Sequence, residues 1–343
     1  NVDYSITPRP NYLADGRKIP DIYSHPAALR DNMQQELGTF PLFEFWGPKT
    51  TINSSKWIAD AAILTDKAHH PDLTLIYLPH LDYNLQRYGI DFNIISKDLT
   101  EIDKVVEDVV AYYERLDARV ILLSEYGITN VNRPIHLNRV LRTNGYLAIR
   151  EERGLEVLDA GASKAFAVAD HQIAHVYCKN PEETIALAKL ISEVEGVEEV
   201  LYGSALETRH LAHERCGDMV VIADRDSWFT YYFWEDERVA PDYARMVDIH
   251  KKPGYDPVEM LTDPKDKWVM AKVVGKLLKK KLGFRTVMDI IPLDASLIKG
   301  SHGRLTGDKE DHPIFISNFK EGIAKDTIDA IEVRQHIENH LIH

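Results

Sequence analysis

The segment Leu73–Gly89 reads LTLIYLPHLDYNLQRYG: an apolar run stopped by Pro79 and followed at once by His80, Asp82 and Gln86. The run Leu73–Leu78 is short, uncharged and rich in β-branched and aromatic side chains. Such a composition predicts a strand buried on both faces, as in the middle of a parallel sheet. Open α/β sheets bind their ligands just beyond the carboxyl ends of their strands. Asp82 is therefore the first candidate for chemistry.

A second stretch repeats the arrangement. Arg119–Ser124, RVILLS, is another apolar run, and it leads into Glu125, Tyr126 and Gly127. Between the two runs, Leu99, Ile102, Val105, Val106, Val109, Val110 and Tyr113 recur at helical spacing, which predicts a helix over Lys97–Leu116. Strand, helix and strand form a βαβ unit with both carboxyl ends on one side. Asp82 and Glu125 are thus expected on a common rim.

Composition narrows the function. The chain has 343 residues, 54 acidic against 41 basic, and a formal net charge of −13. Without a basic excess to neutralise phosphates, a nucleic-acid polymer is not an expected partner. Cys178 and Cys216 provide neither a disulfide framework nor metal-ligand spacing, so a reducing, cytoplasmic setting is expected. No apolar run approaches membrane-spanning length and the N-terminus lacks a signal-peptide pattern, so no membrane partner is expected.

The rest of the chain reads as follows. The opening residues 1–26, with prolines at 8, 10, 20 and 26, predict a surface segment with little regular structure. Ser55–His69 reads as a helix capped by the Thr50, Thr51, Asn53 cluster, and His69-His70-Pro71 as its terminating turn. Arg133–Asn144 reads as a short helix closed by Gly145, and Tyr146–Ile149 as a strand. From Gly161 the texture changes: strands over Ala165–Ala169, Ile173–Cys178 and Val197–Tyr202, with a helix over Pro181–Val194, suggest a small inserted α+β subdomain. Asp170-His171 reads as a turn. The aromatic stretch Met219–Trp234 predicts a strand pair around Asp224–Ser227 with its aromatics in the core. Val247–Asp256 is an irregular polar loop that gathers Asp248, His250 and Lys252. Lys267–Leu282 and Asp326–Ile342 read as amphipathic helices, the latter with His336 and His340 exposed.

Several blocks, in order, resemble the nucleotide pyrophosphatase/phosphodiesterase family of the alkaline-phosphatase superfamily. They are Tyr77-x4-Asp82 followed by Gly89, then Ser124-Glu125-Tyr126-Gly127 where that family has Ser-Asp-His-Gly, and Gly300-Ser301-His302-Gly303 with Pro313–Ile316 behind it. The resemblance implies an α/β fold with an alkaline-phosphatase-like, mainly parallel sheet between helices and a small inserted α+β subdomain. Residues 1–160 would be core, 161–240 the insertion, and 241–343 the return to the core. It also implies a metal-dependent hydrolase of phosphodiester or pyrophosphate bonds in small phosphorylated substrates. The family's nucleophile segment has no counterpart here, which places the nucleophile upstream of Asn1 as an expectation.

The implied ligands are Asp82, Glu125 and His302, with Tyr126 and Gln86 where the family has histidines, and His250 or His80 as a replacement imidazole. The implied cofactor is a divalent metal at two sites, zinc first, with iron or manganese admitted by Glu125 and Tyr126. Two ions about 4 Å apart can clamp the attacking and leaving oxygens of a phosphate. Two alternatives stay open: a metal-free binding or scaffold protein of the same fold, and a phosphomonoesterase, sulfatase or phosphotransferase of the superfamily.

Overall fold

Apolar periodicity and turn chemistry set most element boundaries in the computed structural model, which describes residues 2–14, 17–320, 323 and 325–342. Residues 1, 15 and 16 of the opening stretch lie outside that set. The chain divides into two units: one contains Asn1–Asn84, Phe92–Gly127 and His312–His343, the other Leu85–Asp91 and Ile128–Asp311.

In the first unit the opening segment is more regular than its prolines predict. Strand β1 (Ser5–Pro8) pairs antiparallel with β4 (Ile22–His25), and β2 (Asn11–Tyr12) with β3 (Lys18–Ile19). Prolines at strand ends and in the linkers are compatible with such short edge pairings. Helix α1 (Ala28–Leu37) and α2 (Ile52–His69) follow, and Ile22, Leu29, Met33, Phe40, Trp57 and Ala61 form their common core. Thr51 caps α2 as expected, accepting from Asn53 N at 3.2 Å, and His70 ends it in the left-handed region at φ 48°. Helix α3 (His80–Tyr88) begins in this unit, and α4 (Phe92–Glu114) packs Ile102 and Val105 against Ala59 of α2.

The predicted central strand is absent. Leu73–Leu78 runs outside any helix or strand, with Leu73 48%, Leu75 79% and Tyr77 55% exposed. An apolar run can favour extended backbone, but a strand also needs a neighbour, and among the described residues none pairs with this one. The second predicted strand is shorter and differently paired. Strand β5 (Ile121–Leu123) runs antiparallel to Phe315–Ser317, with Leu122 opposite Ile316. The expected parallel βαβ unit is therefore not formed. The C-terminal helix occupies Val333–Ile342, where His336 and His340 are half-buried against Phe315 and Phe319 instead of exposed.

The second unit is built on a four-stranded antiparallel sheet. Strands β6 (Thr129–Asn130) and β7 (Arg133–Ile135) precede α5 (Leu137–Thr143), so the predicted helix over Arg133–Asn144 begins later than its pattern suggests. The hairpin β8 (Ile149–Glu152) and β9 (Leu155–Leu158) turns through Arg153 and Gly154, both at positive φ, the geometry that two-residue hairpin turns favour. Then come β10 (Ala165–Asp170), β11 (Ile173–Cys178), α6 (Thr184–Ser192), β12 (Val197–Tyr202), α7 (Ser204–Thr208) and β13 (Met219–Ala223). The sheet order is β10-β11-β13-β12. Strict alternation in β10, from Ala165 to Asp170, buries Ala165, Ala167 and Ala169 on one face.

Strand β14 (Ser227–Phe229) does not pair with β13 as predicted; it runs parallel to β7. The aromatics after it are core, as the sequence suggests, with Trp228, Phe229 and Tyr231–Trp234 at most 1% exposed. Helix α8 (Val269–Lys281) and strand β15 (Gly300–Ser301), paired antiparallel with β6, complete the unit. The structure is thus a mixed α/β arrangement of short sheets, in which the strand pairs among the described residues are antiparallel apart from β7 and β14.

Candidate functional site

In the first unit, Asp82 lies in the first turn of α3, and Glu125 and Tyr126 follow β5. The Tyr126 hydroxyl donates to Asp82 Oδ1 at 3.1 Å. Burial pushes the Tyr126 hydroxyl well above the usual phenol range, and the negative charges of Asp82 and Glu125 add to this along with Tyr77. Tyr77 is raised as well, by burial first and then by Asp82 and Glu125. Two carboxylates and two protonated phenols therefore share one electrostatic neighbourhood. All four offer oxygen donors, which suit harder cations than a thiolate or imidazole set would. A protonated phenol is a hydrogen-bond donor first; Tyr126 holds Asp82 in orientation through that bond.

In the second unit, the latter half of α3 carries Gln86, fully buried, whose backbone carbonyl accepts from Lys299 N at 2.9 Å. The closing block packs tightly there. A Cβ on Gly300 would collide with the Leu85 carbonyl oxygen, so only glycine lets the chain approach α3 this closely. His302 follows, with its ring 3.8 Å from that of His171 between centroids. Tyr255 lies 4.2 Å from His171 on the same measure, and Ser301 Oγ is 3.5 Å from His171 Nδ1. Burial holds His302 down at about 4, and holds His171 well below the usual imidazole range with His302 as a second cause. Both rings are therefore neutral at pH 7. His250 is exposed in its loop, and Tyr255 lies on His171.

His171 and Tyr255 are site neighbours that the sequence reading passed over. The signal was present: Asp170-His171 resembles the family's Asp-His pair, and His171 has φ 57°, an uncommon conformation for a non-glycine residue. It occupies the two-residue turn of the β10–β11 hairpin, which delivers the ring to the closing block. Thr51 caps α2 with its hydroxyl oxygen and donates the hydroxyl proton to Glu44 Oε2 at 2.5 Å.

The family model for type I phosphodiesterase/nucleotide pyrophosphatase matches residues 1–256. This chain belongs to that family. No curated protein sequence matches it. Among solved structures it is similar to a phosphonoacetate hydrolase from Sinorhizobium meliloti 1021 in complex with phosphonoformate, at 14% identity and TM-score 0.48, covering 85% of this chain and 55% of that one. It is also similar to murine ectonucleotide pyrophosphatase/phosphodiesterase 5, at 14% identity and TM-score 0.42, covering 76% and 50%. The chain spans about half the length of these structures.

Proposed function

We propose that this chain carries part of the active site of a divalent-metal-dependent hydrolase acting on phosphodiester or pyrophosphate bonds of small phosphorylated substrates. The observation that carries the reading is the gathering of Asp82, Glu125 and Tyr126 at two loop-facing element ends in a member of this family. In the first unit, Asp82 and Glu125 are the proposed anionic ligands. In the second unit, His302 is a proposed imidazole ligand, its neutral ring carrying one unprotonated nitrogen, and Gln86 and His250 are further proposed ligand residues. In the family's alkaline-phosphatase-like sheet, the Leu73–Leu78 run would be the strand that delivers Asp82.

The residues fit such an ion chemically, because carboxylates gathered at one place offer the hard oxygen donors that divalent cations take. When bound, the metal supplies positive charge against the phosphate oxygens. What the chain itself supplies is orientation: Tyr126 keeps its proton and uses it in the hydrogen bond that holds Asp82. Tyr77, also protonated, offers a second donor of the same kind.

The second reading, a metal-free binding protein of this fold, is favoured by the same Tyr126–Asp82 bond, which satisfies part of the carboxylate without an ion. Metal content separates the two. The chain is stripped with chelator and titrated with Mn2+ and Zn2+, and the bound ion is counted in the parent and in Asp82→Asn and Glu125→Gln. The hydrolase reading expects binding that either substitution weakens at least tenfold; binding unaffected by both favours the scaffold.

A further inference from the structure

The amino end of α3 carries a second set of ligand-type side chains, turned toward α4 and sharing no residue with the ligands proposed for the hydrolytic site; it takes His80, which the sequence offers as a replacement imidazole there, away from that site. His80 is the first residue of α3, and Asp98 and Glu101 are three residues apart on α4, hence on one face of that helix. One ligand atom from each lies within 4.8 Å of the other two. Asp98 occupies the inward stripe of α4 between Ile95 and Ile102, where an apolar residue is the ordinary choice.

Three observations point to a ligand. His80 is only 3% exposed, and neither ring nitrogen makes a hydrogen bond of ordinary geometry, although the Thr51 backbone and Glu101 both lie near enough to act on the ring. Its Nε2 sits 3.3 Å from Asp98 Oδ1 and 3.4 Å from Glu101 Oε2. Those separations are long for N–H···O bonds, which run about 2.7–3.2 Å. They match the edge of a tetrahedron around an ion with bonds of about 2.1 Å, which is roughly 3.4 Å.

Charge leads to the same conclusion. Two carboxylates converge on this point, Asp98 among the buried residues. Asn84 donates to both Asp98 oxygens, at 2.9 and 3.0 Å, which orients the group but adds no positive charge. Lys97 lies 3.4 Å from Glu101 Oε1, the oxygen not facing His80, and its side chain is 81% exposed. Among the described residues, no lysine or arginine lies against Asp98. Glu101 also lines a cleft of about 370 Å³ between α2 and α4.

We propose that His80, Asp98 and Glu101 form a divalent-cation site, best suited to Zn2+, that pins the first turn of α3 to α4. One imidazole and two carboxylates give three protein ligands and leave a fourth position for water. Asn84 acts outside the ligand set by fixing the Asp98 carboxylate. Because Asp82 lies two residues after His80 on the same helix, the ion also fixes the backbone that presents Asp82.

The test uses the full chain carrying Asp82→Asn and Glu125→Gln, so that ions held by the proposed hydrolytic site do not contribute. After chelator treatment it is titrated with Zn2+, counting bound ion and following thermal unfolding, and then with Co2+ for its visible spectrum. The expected result is one ion per chain, a raised Tm, and Co2+ bands indicating four-coordination with nitrogen and oxygen ligands. Adding Glu101→Gln, a partly exposed position that tolerates the amide, should weaken binding at least about tenfold and remove the Tm increase. His80→Gln should abolish the Co2+ bands. Absence of zinc binding in the double-substituted background would overturn the proposal, as would binding that Glu101→Gln leaves unchanged.

Discussion

Replacing Lys252 by methionine should remove a large part of the stability of the second unit. The Lys252 side chain is fully buried, with Nζ 2.7 Å from Asp256 Oδ2 and 2.8 Å from Glu259 Oε1, and those carboxylates are at most 2% exposed. Methionine fills nearly the same volume, so the substitution deletes charge with little change in packing. Breaking a buried ion pair from one side costs about 3–5 kcal/mol, since the remaining charges stay desolvated and unpaired. For a unit of this size each kcal/mol corresponds to about 2–4 °C, giving a Tm loss of about 6–20 °C. The sign of the pH dependence follows from Asp256. Burial raises its carboxyl and Lys252 opposes the rise, so removing the lysine lifts it further above its unfolded value. A raised carboxyl contributes stability below its unfolded pKa and loses it as pH rises through the folded one. The deficit of the variant should therefore shrink toward pH 4. Urea unfolding, followed by the emission of the buried Trp228 and Trp234, measures both quantities. A loss below about 1 kcal/mol, or one equal at pH 4.5 and 7.5, would refute the argument; the lysine would then be replaceable by apolar contact alone.

Gly300→Ala should destabilise by at least the roughly 1–3 kcal/mol of an overpacked site, because the new methyl meets the Leu85 carbonyl, and denaturant unfolding measures it. Burial holds His136 at about 4, against an ordinary value of 6.5, so the native state resists a proton that the unfolded chain accepts. Stability should fall as pH drops from about 6.5 to 4, and His136→Phe should flatten that slope by at most about 3.5 kcal/mol, read from urea midpoints across that range. Tyr126→Phe deletes one hydrogen bond to Asp82 and no anionic ligand. Cation affinity by calorimetry should therefore change less than about tenfold, in line with a net bond worth of roughly 0.5–1.5 kcal/mol.

Helices and hairpins were legible because their determinants are local. Thr51 and the 3.6-residue spacing mark α2, and β11 and β12 fall where the sequence places them, β11 with strict alternation of burial. The sheet arrangement was not legible, because pairing depends on partners far along the chain. Arg119–Ser124 and Leu73–Leu78 look alike as apolar runs, yet one finds Phe315–Ser317 and the other finds no strand among the described residues. Composition tells the backbone to extend; it does not say which neighbour, parallel or antiparallel, will be waiting. The same limit explains Met219–Trp234, where both predicted strands form but take different partners.

For the site, the legible part was the carboxylates and the illegible part was the imidazoles. Asp82 and Glu125 follow apolar runs, and burial, with their charge added to it, explains why Tyr126, in a histidine's place, keeps its proton. His171 escaped because the feature that matters is its positive φ in a two-residue turn, which places a buried ring against His302 without any motif. Asp98 escaped for the opposite reason. It fits the helical period of α4 perfectly well as a position and violates it only as a residue, a carboxylate on a stripe otherwise made of Ile95, Ile102 and Val105. Local rules broken inside a well-formed element mark places where something other than stability has selected the side chain. On that criterion Asp98 and His80 point to a bound ion more directly than the paired histidines His69 and His70, which obey the rules of a helix end.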